Sequence, residues 1–224
     1  MTKQEILQAI QDDIATKTQT NSITPAILAQ IIVDAVSLAG NVKYDLDIAG
    51  TICNGRVSTI TIPEGVTEIV DDGFRQSTEI EEVILPSTLT TIGSFAFQDN
   101  LIKTLTIPDS VTSIDLAAFA INQISSLTLS SSMTVYPSGT ENFGTNDGIF
   151  DSNLLTSLVI PVGVTEIGSY VFANNLLTSL TLPNTVVLIR DFAFLNNSLT
   201  SVDVPTGCVV EANAFDGGVT VNFV

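Results

Sequence analysis

Histidine is absent from the 224-residue chain, which removes the commonest general base and the commonest metal ligand. Few other groups have chemistry to offer. Cys53 and Cys208 are the two thiols, and the repeat described below puts them about 30 Å apart at strand spacing, too far for a disulfide or a shared zinc. Glu81 and Glu82 are adjacent, but neighbours on a strand point to opposite faces, so the spacing gives no support to a general acid–base pair. No glycine-rich phosphate loop or nucleophile elbow occurs. Asn146–Asp147–Gly148 with Asp151 has a trace of a calcium loop without its full ligand spacing. The expectation is therefore a protein that binds and does not catalyse, with no cofactor and no metal. The residues best suited to binding are Tyr136, Phe143, Asn146 and Asp147, inside an irregular stretch at 131–151 rich in Gly, Ser, Thr and Asn. Phe150, in the same stretch, either joins them or replaces a core phenylalanine.

The elements that carry this stretch repeat. Prolines stand at 63, 86, 108, 161, 183 and 205, and Ser130 takes the anchor position in the long gap, with about nine extra residues following. One residue before each anchor come Ile62, Leu85, Ile107, Leu129, Ile160, Leu182 and Val204, and three before it Ile60, Val83, Leu105, Leu127, Leu158, Leu180 and Val202. Alternation with polar neighbours makes these strands with one buried face, ended by a proline that has no N–H to give a ladder. Three after the anchor stand Val66, Leu89, Val111, Met133, Val164, Val186 and Cys208. Six after it come Ile69, Ile92, Ile114, Ile167 and Ile189, and eleven after it Phe74, Phe97, Phe119, Phe172 and Phe194, with Phe215 one residue early. An Ala–Phe pair recurs there and predicts a short helical or 3₁₀ turn on a third side. Eight before the anchor stand Asn100, Asn122, Asn153, Asn175 and Asn197. That series predicts an inward asparagine ladder, starting at the third coil, that satisfies backbone groups at a bend.

The run Leu101–Ile102–Lys103–Thr104–Leu105–Thr106–Ile107–Pro108–Asp109–Ser110–Val111–Thr112–Ser113–Ile114 resembles the BspA-like leucine-rich repeats, also called the Treponema pallidum type. The resemblance covers roughly residues 57–218 and implies a curved solenoid of parallel short strands, found mostly in surface or interaction proteins. The expected fold class is thus a β-rich leucine-rich-repeat solenoid of about seven coils, preceded by a short α-helical segment. One coil cannot bury its own Phe and Ile, whereas stacked neighbours bury each for roughly 1.5–3 kcal/mol.

Seven basic residues oppose 24 acidic ones, a formal net charge of −17. Neutralising phosphate takes clustered Lys and Arg, and here they stand singly, so neither nucleic acid nor an anionic membrane is an expected partner. No export signal is expected at Met1–Glu5, and the apolar run Ile27–Leu38 is too short to cross a bilayer.

The expected organisation is a helical attachment and oligomerisation segment at 1–42, a cap strand at 43–56, and the solenoid at 57–224 with its insertion at 131–151. In the first segment Thr2 and Glu5 form a capping box. Thr24 and Pro25 open a second helix that Gly40 closes. Ile27, Leu28, Ile31, Ile32, Ala35 and Leu38 make that helix apolar nearly all round, so it needs cover on several sides. Packing on the first helix and the cap strand would give it; so would a bundle of several chains, the preferred reading, with a trimer favoured. The segment Thr24–Pro25–Ala26–Ile27–Leu28 through Asp34 to Asn41 also resembles N-terminal segments of phage tail and head fibre proteins of Bacteroidota viruses. That resemblance implies a virion protein, a head or tail fibre or appendage among other virion proteins, displaying the solenoid to a host-surface glycan or protein. The alternative is a bacterial cell-surface adhesin or interaction module.

Overall fold

The computed structural model describes residues 43–44, 59–77, 80–137 and 148–224. The chain winds as a parallel β-solenoid of about seven three-sided coils. In chain order the strands are β1 (Lys43–Tyr44), β2 (Thr59–Thr61), β3 (Glu68–Ile69), β4 (Glu82–Ile84), β5 (Thr91–Ile92) and β6 (Thr104–Thr106). Next come β7 (Ser113–Ile114), β8 (Ser126–Thr128), β9 (Val135–Tyr136), β10 (Ser157–Val159) and β11 (Glu166–Ile167). β12 (Ser179–Thr181), β13 (Leu188–Ile189), β14 (Ser201–Val204), β15 (Val209–Val210) and β16 (Thr220–Phe223) complete the series. Even-numbered strands line the first face and odd-numbered ones the second. Turns form the third side.

Each corner has a local cause. The anchor proline accepts a hydrogen bond from the amide three residues on, as in Val111 N–H to the Pro108 carbonyl at 3.0 Å, and this turns the chain from the first face to the second. Gly65, Gly163 and Gly207 sit inside three of these turns at φ of 91 to 106°, a conformation that suits glycine. A short helical or 3₁₀ turn was expected on the third side; among the described residues this side is a succession of hydrogen-bonded turns with no helix. The reason is a left-handed residue two before the phenylalanine, including Phe95 (φ 58°), Ala117 (51°) and Tyr170 (64°), which interrupts any right-handed helix.

The third side is continuous along the stack. Phe74, Phe97, Phe119, Phe150, Phe172, Phe194 and Phe215 stack with ring centroids 4.9 to 5.7 Å apart. Each Phe amide donates to the carbonyl preceding the next ring, as in Phe119 N–H to Ile149 O at 2.9 Å and Phe150 N–H to Val171 O at 2.9 Å. The asparagine ladder begins at Asn100 and runs beside it. The Asn153 Nδ2 donates to the carbonyls of Phe119, Phe150 and Asp151, while its Oδ1 accepts from the Ile124 amide. Asn122, Asn175 and Asn197 repeat this pattern, so one side chain stitches three carbonyls and one amide across a coil interface.

The first face is different. β2 pairs with β4, β6 with β8, β10 with β12 and β14 with β16 along their full length, but β4 meets β6 at Glu82–Thr104 alone. Neither β8 with β10 nor β12 with β14 is paired. The face is thus one four-stranded sheet, β2-β4-β6-β8, thinned to a narrow seam between β4 and β6, followed by two strand pairs with open seams at β8–β10 and β12–β14. Before each bonded interface stands a β-branched residue whose amide continues the ladder, as in Ile62 to Ile84 O, Ile107 to Thr128 O and Ile160 to Thr181 O. Before each seam stands Leu85, Leu129 or Leu182, whose amide makes no inter-coil bond. β-Branching favours the extended backbone that prolongs a strand, and leucine favours it less.

The second face is interrupted once, between β7 and β9, giving sheets β1-β3-β5-β7 and β9-β11-β13-β15. In other coils the residue after the inward Ile donates to the preceding coil, as Asp115 does to Ile92 O at 2.9 Å. Pro137 occupies that place after β9 and has no N–H. β1 pairs in parallel with β3; the rest of the expected cap strand at 43–56, the helical segment at 1–42 and Cys53 lie outside the described residues.

Candidate functional site

Of the four residues expected to bind at the insertion, Tyr136 is corrected by the structure. It is the second residue of β9, fully buried, and in register with Ile167. Counted from Ser130 it stands six residues on and fills the core position that isoleucine takes elsewhere. Burial pushes its phenol well above the ordinary range, and its hydroxyl has no hydrogen-bond partner among the described residues. Phe150 has joined the phenylalanine column. Both ends of the 131–151 stretch are therefore regular coil, and the extra residues fall between Pro137 and Gly148. Gly148 marks the return: a Cβ there would collide with the carbonyl oxygen of Tyr170. Phe143, Asn146 and Asp147 lie outside the described residues, as do Ile27, Leu28, Ile31, Ile32, Ala35 and Leu38. Asp151, considered for calcium, is buried and accepts from Asn174 Nδ2 at 2.7 Å and Ser152 Oγ at 3.1 Å. No group of three metal-ligating side chains occurs among the described residues.

The first face offers a regular exposed surface. Its outward positions, two and four before the anchor, are exposed and mostly hydroxyl-bearing: Thr104 and Thr106 on β6, Ser126 and Thr128 on β8, Ser179 and Thr181 on β12. Ile84 and Val159 break the rows with exposed apolar side chains. Acidic side chains near the corners tie coils together. Asp109 accepts from the Ser131 amide and hydroxyl, both at 2.8 Å, which holds its carboxyl below the usual range. Glu64 holds Ser87 in the same way.

Seams open this surface. The inward residues of this face differ in cover, and Leu105 and Leu158 are sealed at 3% exposure. Beside a seam Leu85, Leu127, Leu180 and Leu182 are only partly buried. At the β12–β14 seam lies a groove of about 170 Å³, its apolar lining made by Leu180, Leu182, Pro205 and Val224 and its polar lining by Thr181, Asn184 and Asp203. Sequence reasoning missed these residues. Their signal was present, because the position before the anchor alternates Ile62, Leu85, Ile107, Leu129, Ile160, Leu182, Val204, and the alternation carries the two-coil period of the seams.

The model of the BspA-type leucine-rich-repeat region matches in six copies over residues 51–143 and 144–220. The chain belongs to the BspA-type leucine-rich-repeat family. Its fold is shared by a leucine-rich-repeat protein from Bacteroides ovatus, 24% identical, covering 67% of this chain and 44% of that one at a TM-score of 0.52. A leucine-rich-repeat protein from Eubacterium ventriosum is 20% identical over 73% of this chain and 43% of its own, at a TM-score of 0.54. The leucine-rich-repeat protein of Treponema pallidum is 24% identical over 75% of this chain and 74% of its own, at a TM-score of 0.47. This BspA-type chain therefore spans less than half the length of the first two. No curated protein matches it. Members of the family generally act as interaction or surface modules, not as enzymes. Among the described residues no helix is long and apolar enough to cross a membrane.

Proposed function

We propose that this BspA-type protein is a non-enzymatic recognition protein that displays its solenoid to a host-surface glycan or protein. Its place is the surface of a phage particle, as a head or tail fibre or appendage. The observation that carries recognition is the division of labour within each coil. Phe, Asn and Ile columns fill the interior, and the first face presents exposed hydroxyl rows with no histidine, metal cluster or activated nucleophile among the described residues. Such a face suits contact, not bond-making. Attachment is assigned to the N-terminal segment, through Ile27, Leu28, Ile31, Ile32, Ala35 and Leu38, as a homo-oligomer with a trimer favoured and with other virion proteins as neighbours. The virion placement is supported by the resemblance of residues 24–41 to phage fibre segments. Mass spectrometry of purified particles tests it, and repeated absence of the protein from them contradicts it. Light scattering of the intact chain is expected to give an oligomer; a strict monomer would remove the assigned role of the second helix. Membership of the BspA-type family favours a second reading, a bacterial cell-surface adhesin or interaction module, which labelling of intact cells would separate from the first.

A further inference from the structure

We propose that the seam between β12 and β14 binds a single sugar residue of a neutral glycan. The inference rests on the recognition reading above and names its site and ligand class. The groove holds about 170 Å³, below the roughly 300–1,000 Å³ of sites for drug-sized ligands, and this suits one six-membered ring. Its floor is apolar, because Leu180 and Leu182 are uncovered by the missing ladder. A pyranose presents its C–H face to such a floor.

The rim is polar and uncommitted. Asp203 Oδ1 accepts from Asn222 Nδ2 at 3.0 Å, which orients the carboxylate and leaves Oδ2 free to accept from a sugar hydroxyl. Thr181 and Asn184 are exposed, and their side chains make no hydrogen bond among the described residues. One carboxylate, one amide and one hydroxyl around an apolar floor can bond vicinal hydroxyls in both senses, as donor and as acceptor.

Other occupants fit less well. The lining has no Lys or Arg, and Asp203 is its acidic side chain, so sialylated, sulfated or phosphorylated ligands meet repulsion. An inserted peptide strand would need two strand spacings, roughly 9–10 Å, between the coils. The rings on the third side, Phe172–Phe194 at 5.6 Å and Phe194–Phe215 at 5.3 Å, hold these coils one spacing apart. The next seam, between β8 and β10, lies two coils away, about 10 Å at the ordinary strand spacing.

The test uses the full chain labelled with ¹⁵N and titrated with chitotetraose, cellotetraose, mannotetraose, lacto-N-tetraose and sialyllactose. One of the four neutral sugars is expected to shift the amides of Thr181, Leu182, Asn184 and Asp203. Asp203→Ala and Asn184→Ala should each weaken that binding at least tenfold without moving the thermal midpoint, since both side chains are exposed. Sugar-induced shifts confined to other regions, binding unaffected by both substitutions, or preference for sialyllactose would overturn the seam as the site. If no sugar binds while the protein still decorates host cells, the seam proposal falls and the recognition reading stands. If neither occurs, both fall.

Discussion

The third side and the first face are made by the same seven coils, yet one runs unbroken and the other thins between β4 and β6 and stops at β8–β10 and β12–β14. On the third side every interface carries a stacked ring pair and a Phe amide bond, and those from Phe74–Phe97 to Phe172–Phe194 carry an asparagine stitch as well, including the interface that spans the insertion. On the first face the ladder is complete, partial or absent depending on the residue before the anchor. Continuity of the solenoid thus resides in side-chain columns, and the strands are free to vary. That freedom lets an insertion enter between Pro137 and Gly148 and lets seams open without loss of the stack.

The comparison is broken most forcefully at the third side. Phe150→Ala removes the ring that joins Phe119 to Phe172 and should cost about 3–5 kcal/mol, read as a lower urea midpoint. A loss under about 1 kcal/mol would mean that the column carries little of the stability. Asn153→Ala strips partners from the buried Phe119 and Phe150 carbonyls and from the Ile124 amide, at an expected cost of roughly 2–4 kcal/mol. Unchanged unfolding of that variant would reduce the ladder to decoration.

A gain is expected at Tyr136. Its buried hydroxyl has no partner among the described residues, so Tyr136→Phe should stabilise by roughly 1 kcal/mol at neutral pH. The same group sets an alkaline limit. Desolvation raises the phenol above its ordinary value of 10.0. An acid with a raised folded pKa leaves stability intact below the unfolded value and erodes it as the pH climbs past that point toward the folded one. Urea unfolding of the parent should weaken from about pH 10 upward, and Tyr136→Phe should flatten that decline. The smallest effect belongs to the seam. Leu182→Ile changes stability by less than about 1 kcal/mol, but it should slow exchange of the residue 182 amide if β-branching extends the ladder. An amide that exchanges as fast as before would disconnect the alternation from the seams.

Much of this architecture was legible in the sequence, because each column repeats one residue type at one phase. The Phe and Asn series point inward and stack, as their spacing required. The roles of Ser130 and Tyr136 were harder to read: without a proline the coil lost its marker, and Tyr136 was counted with the loop instead of six residues past the anchor. The turns on the third side were hidden because positive φ at Phe95 or Tyr170 has no signature in side chains that usually avoid it. The groove was out of reach for another reason. Leu182 and Asp203 come from successive coils, and treating Ile and Leu before the anchor as one apolar class erased the difference that separates bonded interfaces from seams.

Residue-resolved hydrogen exchange of the native chain tests the central claim most directly. The amides of Ile102, Ile124, Leu155 and Leu177, held by asparagine Oδ1 atoms, should be protected in every coil, across the insertion as elsewhere. Those of Ile107 and Ile160 should be slow, and those of Leu85, Leu129 and Leu182 fast. Equal protection of all five residues before the anchors, or loss of protection at Ile124 beside the insertion, would contradict it.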